Sequence, residues 1–164
     1  MDGVLTDGRL YIDDTGRGAR LFDVHDGFAL YWYQRLGGIV VICSGKHSEA
    51  VAVRAAELGI THVVQGSRDK PADLAPRLAE IGLGWSELAV IGDDLPDVPL
   101  LHRCGFPIAV ANAVDEVKAV AQLVTRRAGG RGAVREALEH LMRATGRWAE
   151  VQAHYGLART ARPD

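Results

Sequence analysis

Three aspartates follow an apolar segment in the middle of the chain, in the sequence LAVIGDDLPD. Asp93 and Asp94 are adjacent, and Asp97 comes three residues later. Adjacent carboxylates repel one another, and a hard cation such as Mg²⁺ between their oxygens removes that repulsion. The same residues are typical of a turn in which an aspartate caps the next helix. By themselves they therefore fit a metal site and an ordinary turn equally well.

Two other segments could bind a phosphate group. Ser44 and Gly45 follow the apolar run VVIC, and a hydroxyl beside free backbone N–H groups at a helix start is typical of an anion site, although a plain turn is the alternative. Lys70 precedes Pro71, and proline favours the first helical position. That frame puts Lys70 at the N-cap, where its charge opposes the helix dipole, so we interpret it as a phosphate-neutralising residue whose loss would cost folding little. The alternative is an exposed lysine, with Asp69 as the cap.

Composition limits the classes of function. The chain has 164 residues, 48% of them hydrophobic and 24% charged, which is ordinary for one globular domain over residues 1–164. A formal net charge of −2 gives no electrostatic reason to expect a nucleic-acid partner. We find no apolar run of membrane-spanning length and no secretory leader, so we expect no membrane association. Two cysteines without a motif favour a reduced, cytoplasmic protein.

These residues need a scaffold, and the hydrophobic pattern predicts one. Strand-like runs alternate with helical patterns, which predicts an α/β fold with a doubly wound parallel sheet covered by helices on both faces. Functional sites in such sheets lie beyond the carboxyl ends of the strands. The predicted strands are 38–45, 61–66, 87–94 and 107–112, and the predicted helices are 48–59, 71–82, 113–122 and 131–146.

Two segments stand outside this alternation. Residues 8–27 alternate apolar and polar side chains around the turn-like DDTGRG, which predicts a projecting β-hairpin flap. We expect this hairpin to expose apolar residues, namely Tyr11, Ile12, Leu21 and Phe22. Residues from about 147 to 164 form a C-terminal tail, and we expect its last eight or so residues to be mobile.

In this order along the chain, the segments DGVLTDG, SG, a lysine before a helix and GDDLPD resemble the haloacid dehalogenase superfamily of phosphatases. The longer phrases LGITHVVQG, VIGDDLPDVPLL and AGGRGAVREAL are similar to its capless branch, which includes the 3-deoxy-D-manno-octulosonate 8-phosphate phosphatases. The resemblance extends to about Gly146. It implies a Rossmann-like core without a cap domain, Mg²⁺ as cofactor, a small sugar acid phosphate as substrate, a homotetramer and a place in lipopolysaccharide biosynthesis.

The resemblance also implies a catalytic order for the first segment. The family motif reads D-x-D-G-V-x-T, in which the first aspartate is the nucleophile and a metal ligand. Asp2 matches the second aspartate, which is the general acid/base and binds the metal through its backbone carbonyl. The nucleophile and the family's first, central strand have no counterpart in residues 1–164, so we expect this chain as written to be inactive. Either a start codon has been misassigned to an internal Met, or the chain is a non-catalytic oligomerisation or regulatory relative; the retained functional residues favour the first explanation.

The remaining roles are carried over residue by residue. The resemblance implies that Ser44, Gly45 and Lys70 hold the phosphate and that Asp2 and Lys70 are catalytic. It implies metal binding by Asp2, Asp93 and Asp94, with Asp93 as the first choice. Lys46, His47 and Arg131 would bind the sugar, although the branch more usually has an arginine pair where this chain has SGKHS. That departure leaves a nine-carbon sialic-acid-type 9-phosphate open as the substrate.

Overall fold

The computed structural model describes residues 1–16 and 18–157, in which short strands alternate with helices. The strands are β1 Tyr11–Ile12, β2 Gly18–Ala19, β3 Val41–Cys43, β4 His62–Val64, β5 Ala89–Gly92, β6 Phe106–Ala109 and β7 Leu123–Val124. The helices are α1 Val24–Arg35, α2 Glu49–Glu57, α3 Lys70–Glu80, α4 Val98–Leu101, α5 Asp115–Val120, α6 Ala133–Ala144 and α7 Trp148–His154. No helix in the described part of the chain combines the length and apolar character needed to cross a bilayer.

The strands after the hairpin are parallel, as the alternation predicted. β3 pairs with β4, while β5 pairs with β6 and β6 with β7. They form two separate sheets of two and three strands instead of one continuous sheet. Within the described residues β3 and β5 each have a partner on one edge alone, because no strand lies between them. The short β7 was not predicted, since two residues are too few to show an alternating pattern.

Helices pack on the strands in two groups. The main apolar cluster joins α1, α2, α5, α6 and α7, and the pair α1 and α6 provides much of its packing. A smaller cluster consists of Leu74, Leu78 and Leu100 from α3 and α4. Val90 of β5 packs against both clusters, so this strand lies between two helical layers. Parallel strands with helices packed on them in this way are characteristic of α/β domains.

The predicted hairpin is present, but it is shorter than the predicted range 8–27, because β1 and β2 have two residues each and residues 24–27 belong to α1. β1 and β2 pair antiparallel, with Tyr11 opposite Ala19. Ile12 is 66% exposed and Leu21 58% exposed, as expected for a flap that projects from the domain. The expectation for Phe22 was wrong: this side chain is half-buried against the main cluster, because it lies past β2 where the chain returns to the domain and enters α1.

Helix α3 begins one residue earlier than the proline frame suggested. Asp69 is its N-cap, and the Asp69 carboxylate accepts a hydrogen bond of 3.1 Å from the backbone N–H of Ala72. The interpretation of Lys70 as the N-cap was therefore wrong, and the alternative frame with Asp69 is confirmed. Lys70 is the first helical residue, and its side chain forms an ion pair with Asp97. The C-terminal segment contains α7, and residues 158–164 lie outside the described residues.

Candidate active site

A cleft of about 770 Å³ lies at the carboxyl ends of β3, β4 and β5. Its walls come from the first residues of the chain and from the loops that follow these three strands. It brings together seven of the nine residues proposed from the sequence: Asp2, Ser44, Gly45, Lys46, Lys70, Asp93 and Asp94. His47 and Arg131 do not line it. Residues far apart in the chain thus meet at the edge of the sheet where α/β proteins place their sites.

The loop before β1, residues 1–10, is called the first loop here, and it packs directly on Asp93. Gly3 adopts φ of 76°, in the left-handed region that glycine enters without strain. A Cβ atom built on Gly3 would overlap the Asp93 carboxylate, so glycine is the residue that lets the two segments approach. The loop is held by Thr6, whose Oγ1 accepts the Gly3 N–H at 3.3 Å. The backbone beside Asp2 and the Asp93 side chain therefore lie together in the cleft.

The Asp2 carboxylate is held by the hairpin. Arg20 Nε, just after β2, donates to Asp2 Oδ1 at 2.8 Å. The Arg20 side chain is 11% exposed and that of Asp2 32%, so the pair lies partly within the cleft wall. Arg20 was not predicted from the sequence, because nothing in the local pattern shows which hairpin residue points back towards the first loop.

Burial and charge act together on Asp93. Burial, reinforced by the nearby negative charge of Asp97, raises the pKa of Asp93 to about 6. Asp94 caps the following turn, with Oδ1 accepting the Leu95 N–H at 2.8 Å, so the turn interpretation holds for this residue. In residues 1–16 and 18–157, no three or more His, Cys, Asp or Glu side chains are grouped as a metal site. Asp93 and the backbone at Asp2 nevertheless supply oxygen donors close to the carboxylates of Asp94 and Asp97, which fits a hard cation such as Mg²⁺.

Lys70 and Asp97 form a buried ion pair across the cleft. Lys70 Nζ lies 2.5 Å from Asp97 Oδ1, and the two side chains are 11% and 8% exposed. Asp97 Oδ2 accepts the Asp93 N–H at 3.0 Å, which ties the pair to the end of β5. Burial acts to raise the pKa of Asp97, but the Lys70 charge and hydrogen bond outweigh it and lower that pKa below its ordinary value. The pair fixes the Lys70 ammonium at the cleft wall.

Serine residues from two neighbouring loops lie side by side. Ser44 is buried and its Oγ accepts the Lys46 N–H at 3.3 Å, while the Ser44 carbonyl accepts the Ser67 N–H at 3.1 Å. Ser67 lines the same cleft, and its buried Oγ has no hydrogen-bond partner among the described residues. Ser67 was not predicted from the sequence, although the small polar run GS before RDK, at the end of a predicted strand, was a signal for it.

His47 and Arg131 take other positions. The His47 ring packs against Gly66 and lines a separate opening between α2 and α3. Arg131 belongs to the loop before α6, which packs on the first loop through a 3.0 Å hydrogen bond from Gly130 N–H to the Val4 carbonyl. A Cβ atom on Gly130 would overlap the backbone of Thr6 and Asp7, so this glycine is needed for the approach. Within one chain, Arg131 therefore stands beside the cleft without lining it.

Comparison with known proteins identifies the family of the chain. Residues 59–138 match the model of the haloacid dehalogenase-like hydrolases. The 3-deoxy-D-manno-octulosonate 8-phosphate phosphatase KdsC of Escherichia coli K12 is 37% identical over 152 residues, which cover 93% of this chain and 81% of the relative. The chain belongs to the KdsC family of haloacid dehalogenase-like hydrolases.

Solved structures of the KdsC family share the fold. The 3-deoxy-D-manno-octulosonate 8-phosphate phosphatase of Moraxella catarrhalis, crystallised with magnesium ion, phosphate ion and KDO, is 37% identical with a TM-score of 0.89, and the match covers 93% of this chain and 88% of that chain. The cobalt-bound deoxy-D-mannose-octulosonate 8-phosphate phosphatase (YrbI) of Haemophilus influenzae is 32% identical with a TM-score of 0.90, and the match covers 96% and 92% of the two chains.

Proposed function

We propose that this fold is the core of a Mg²⁺-dependent phosphatase that hydrolyses 3-deoxy-D-manno-octulosonate 8-phosphate, a sugar acid phosphate of lipopolysaccharide biosynthesis, in the cytoplasm. The observation that carries the proposal is the single cleft in which Asp2, Ser44, Lys70 and Asp93 meet. These residues supply a proton carrier, a hydroxyl donor, a fixed cation and a metal ligand. The M. catarrhalis relative binds magnesium, phosphate and KDO, and this is the same chemical set.

The reaction proposed is phosphoryl transfer in two steps. A carboxylate two positions before Asp2 attacks phosphorus, the bond to the sugar oxygen breaks, and an aspartyl-phosphate forms. Asp2 gives its proton to the leaving oxygen and later takes one from the water that hydrolyses the aspartyl-phosphate. Arg20, 2.8 Å from Asp2, holds this carboxyl group in place. Residues 1–164 do not include the attacking carboxylate, so we expect this polypeptide by itself to be inactive.

Two groups would hold the transferred phosphoryl group. Ser44 and the N–H of Gly45 donate to its oxygens, since both face the cleft at the end of β3. The Lys70 ammonium, kept in place by Asp97, offsets the charge that develops on the oxygens. Mg²⁺ bound by Asp93, with Asp94 nearby and the Asp2 carbonyl as a further ligand, would supply Lewis-acid charge neutralisation.

Sugar selection is assigned to the charged groups at the cleft mouth. Lys46 lines the cleft and can meet the sugar carboxylate. His47 and Arg131 do not line the cleft of their own chain, so their proposed contact with the sugar requires a neighbouring chain or, for Arg131, a sugar that extends past the cleft wall. We propose a homotetramer in which the exposed apolar residues of the hairpin are covered by neighbours and each active site borrows from the next subunit. A nine-carbon sialic-acid-type 9-phosphate is the second candidate substrate, because SGKHS departs from the usual arginine pair.

The test compares two polypeptides. The first is residues 1–164, and the second is an extended form with an apolar strand and an aspartate placed two positions before Asp2. Each is assayed with Mg²⁺ on the octulosonate 8-phosphate, on a sialic-acid 9-phosphate and on p-nitrophenyl phosphate. We expect the extended form to hydrolyse the octulosonate ester fastest and the short form to be inactive.

Matched variants separate the outcomes. In the extended form, Asp2→Asn should abolish turnover, while Asp115→Asn, an exposed carboxylate on α5, should leave it unchanged. Comparable turnover by the short form would refute the assigned nucleophile. A folded extended form with no phosphatase activity on any of the three esters would favour the non-catalytic relative.

A further inference from the structure

The cleft of the candidate active site has more cationic side chains than the phosphate requires. Four of them line it: Lys46, Arg68, Lys70 and Arg103. Lys70 is used by its buried ion pair and by the proposed phosphoryl contact. The guanidinium carbon of Arg103 lies 5.5 Å from the centre of the Trp85 ring, so an aromatic contact uses this cation. Lys46 and Arg68 remain, and in the described part of the chain their side chains have no ion pair or hydrogen bond.

These two free cations lie on neighbouring loops. Lys46 follows β3 and Arg68 follows β4, and the two strands pair in parallel, so both loops leave the sheet at the same end. The loops are joined by a hydrogen bond of 3.1 Å from the Ser67 N–H to the Ser44 carbonyl. Both side chains belong to exposed residues. The free cations therefore stand beside the phosphate position at Ser44, on the solvent side of the cleft wall.

Ser67 adds an uncharged polar group to the same wall. The residue is 8% exposed and lines the cleft, and its Oγ has no hydrogen-bond partner among the described residues. A buried hydroxyl without a partner costs free energy, and a ligand oxygen in the cleft would remove that cost. The hydroxyl rotates about a single bond, so it can turn towards such a ligand. The unpaired hydroxyl therefore indicates a polar ligand next to Arg68.

The proposed substrate has a second anionic group to be bound. In an octulosonate 8-phosphate the phosphate ester and the carboxylate are at opposite ends of the carbon chain. With the ester at Ser44 and Lys70, the carboxylate lies away from the phosphate position. An arginine binds a carboxylate through two parallel N–H···O bonds, which the point charge of a lysine does not reproduce. His47 and Arg131 do not line the cleft, so the free guanidinium there is that of Arg68.

We propose that Arg68, with Ser67 and Lys46 beside it, forms a subsite for the sugar carboxylate and selects phosphate esters of sugar acids over esters without a carboxylate. The inference rests on the proposed function, because it assigns a further role in the same cleft. Arg68 supplies the paired donors, Lys46 adds positive charge, and the Ser67 hydroxyl donates a further hydrogen bond. Arg68 determines specificity and takes no part in breaking the ester bond.

The first experiment measures binding, without turnover. Residues 1–164 contain all three groups, and calorimetry with Mg²⁺ gives the Kd of two probes. The probes are 3-deoxy-D-manno-octulosonate, which has the carboxylate without the phosphate, and inorganic phosphate, which has no carboxylate. Arg68→Gln should raise the Kd of the octulosonate about tenfold or more, because charge-assisted hydrogen bonds are lost. The Kd of inorganic phosphate should stay the same. Arg77→Gln, on α3 in an exposed ion pair with Glu80, is the matched control and should change neither value.

Ser67→Ala separates a ligand contact from a structural role. This variant should raise the Kd of the octulosonate about threefold without lowering Tm, because its hydroxyl has no hydrogen bond to lose within the described residues. A lowered Tm with an unchanged Kd would remove Ser67 from the subsite.

The second experiment measures kinetics of the extended form. Arg68→Gln should raise KM for the octulosonate 8-phosphate with kcat unchanged, and should leave both constants unchanged for p-nitrophenyl phosphate, because the lost contact is made equally before and during the reaction. Arg68→Lys should fall between the wild type and Arg68→Gln.

Three results would overturn the inference. These are a wild type that does not bind the octulosonate, an Arg68→Gln variant with an unchanged Kd for it, and equal weakening of inorganic phosphate, which would show general electrostatic attraction. An extended form that binds the octulosonate through Arg68 but hydrolyses no ester would refute the proposed function and leave the subsite in place.

Discussion

Replacing Lys70 by methionine should destabilise the domain substantially, because the replacement leaves the Asp97 carboxylate buried without its cation. The Asp97 side chain is 8% exposed, so solvent cannot replace the ammonium. Removing one partner of a buried ion pair costs about 3–5 kcal/mol. Asp97 keeps the hydrogen bond from Asp93 N–H at 3.0 Å, which favours the lower end of this range. For a domain of this size, about 3 kcal/mol corresponds to a fall of about 6–12 °C in Tm.

Urea unfolding of residues 1–164 measures this loss of stability, and a double-mutant cycle shows how much of it comes from the Lys70–Asp97 pair. The set is Lys70→Met, Asp97→Asn and the double variant, with Lys118→Met as the control. Lys118 Nζ lies 3.8 Å from Oδ1 of Asp115, whose side chain is fully exposed. Replacing Lys118 should therefore change the free energy of unfolding by less than about 0.5 kcal/mol. The double variant should be more stable than the sum of the single losses predicts, because it leaves no unpaired charge.

The pH dependence gives a second check on the same pair. The pKa of Asp97 is lowered in the folded state, so the stabilisation from the pair is present above the ordinary aspartate range and disappears as the pH falls through the folded value. The difference between wild type and Lys70→Met should therefore shrink in acid. A loss below about 1 kcal/mol at pH 7, or a coupling energy near zero, would refute the reasoning that the pair is desolvated.

Three further predictions rest on other contacts. Burial raises the pKa of Asp26, in α1, from 3.8 to about 6, so the stability of the wild type should fall by up to about 3 kcal/mol as the pH rises between these values. The Asp26→Asn variant should therefore unfold at a higher urea concentration than the wild type at pH 8 and at the same concentration at pH 4. A difference that does not depend on pH would contradict this prediction. In calorimetry of the extended form, Asp93→Asn should weaken Mg²⁺ binding more than Asp94→Asn does, because the wild-type Asp94 carboxylate already accepts a hydrogen bond within its turn. Equal losses of affinity would mean that Asp94 contributes as much to metal binding as Asp93. Ile12→Asp and Leu21→Asp place a charge on exposed apolar positions of the hairpin, so each should shift the sedimenting species to a smaller size without lowering the Tm of the monomer. A tetramer that both variants leave unchanged would show that the interface lies elsewhere.

The hydrophobic pattern was sufficient for the order and type of most of the elements. Helix α2, for example, was predicted at 48–59 and spans Glu49–Glu57, because a helical repeat between Ser48 and Gly59 is a local signal. Ser48 occupies the N-cap position, although its side chain makes no capping hydrogen bond. The hairpin followed from its alternation for the same reason. The catalytic candidates followed from residue type at strand ends, since the carboxyl ends of parallel strands converge wherever such a sheet forms.

What the tertiary structure decided was which charges meet. The sequence frame made Lys70 a poor cap of little importance to folding, whereas the fold places its ammonium on Asp97, 27 residues away, and gives the cap to Asp69. Arg20 reaches Asp2 only because the hairpin folds back over the first loop, and Ser67 joins Ser44 because β4 pairs with β3. Local patterns report the backbone conformation of their own residues. Ion pairs and buried hydroxyls depend on distances between segments, and those distances are set by packing of the whole domain.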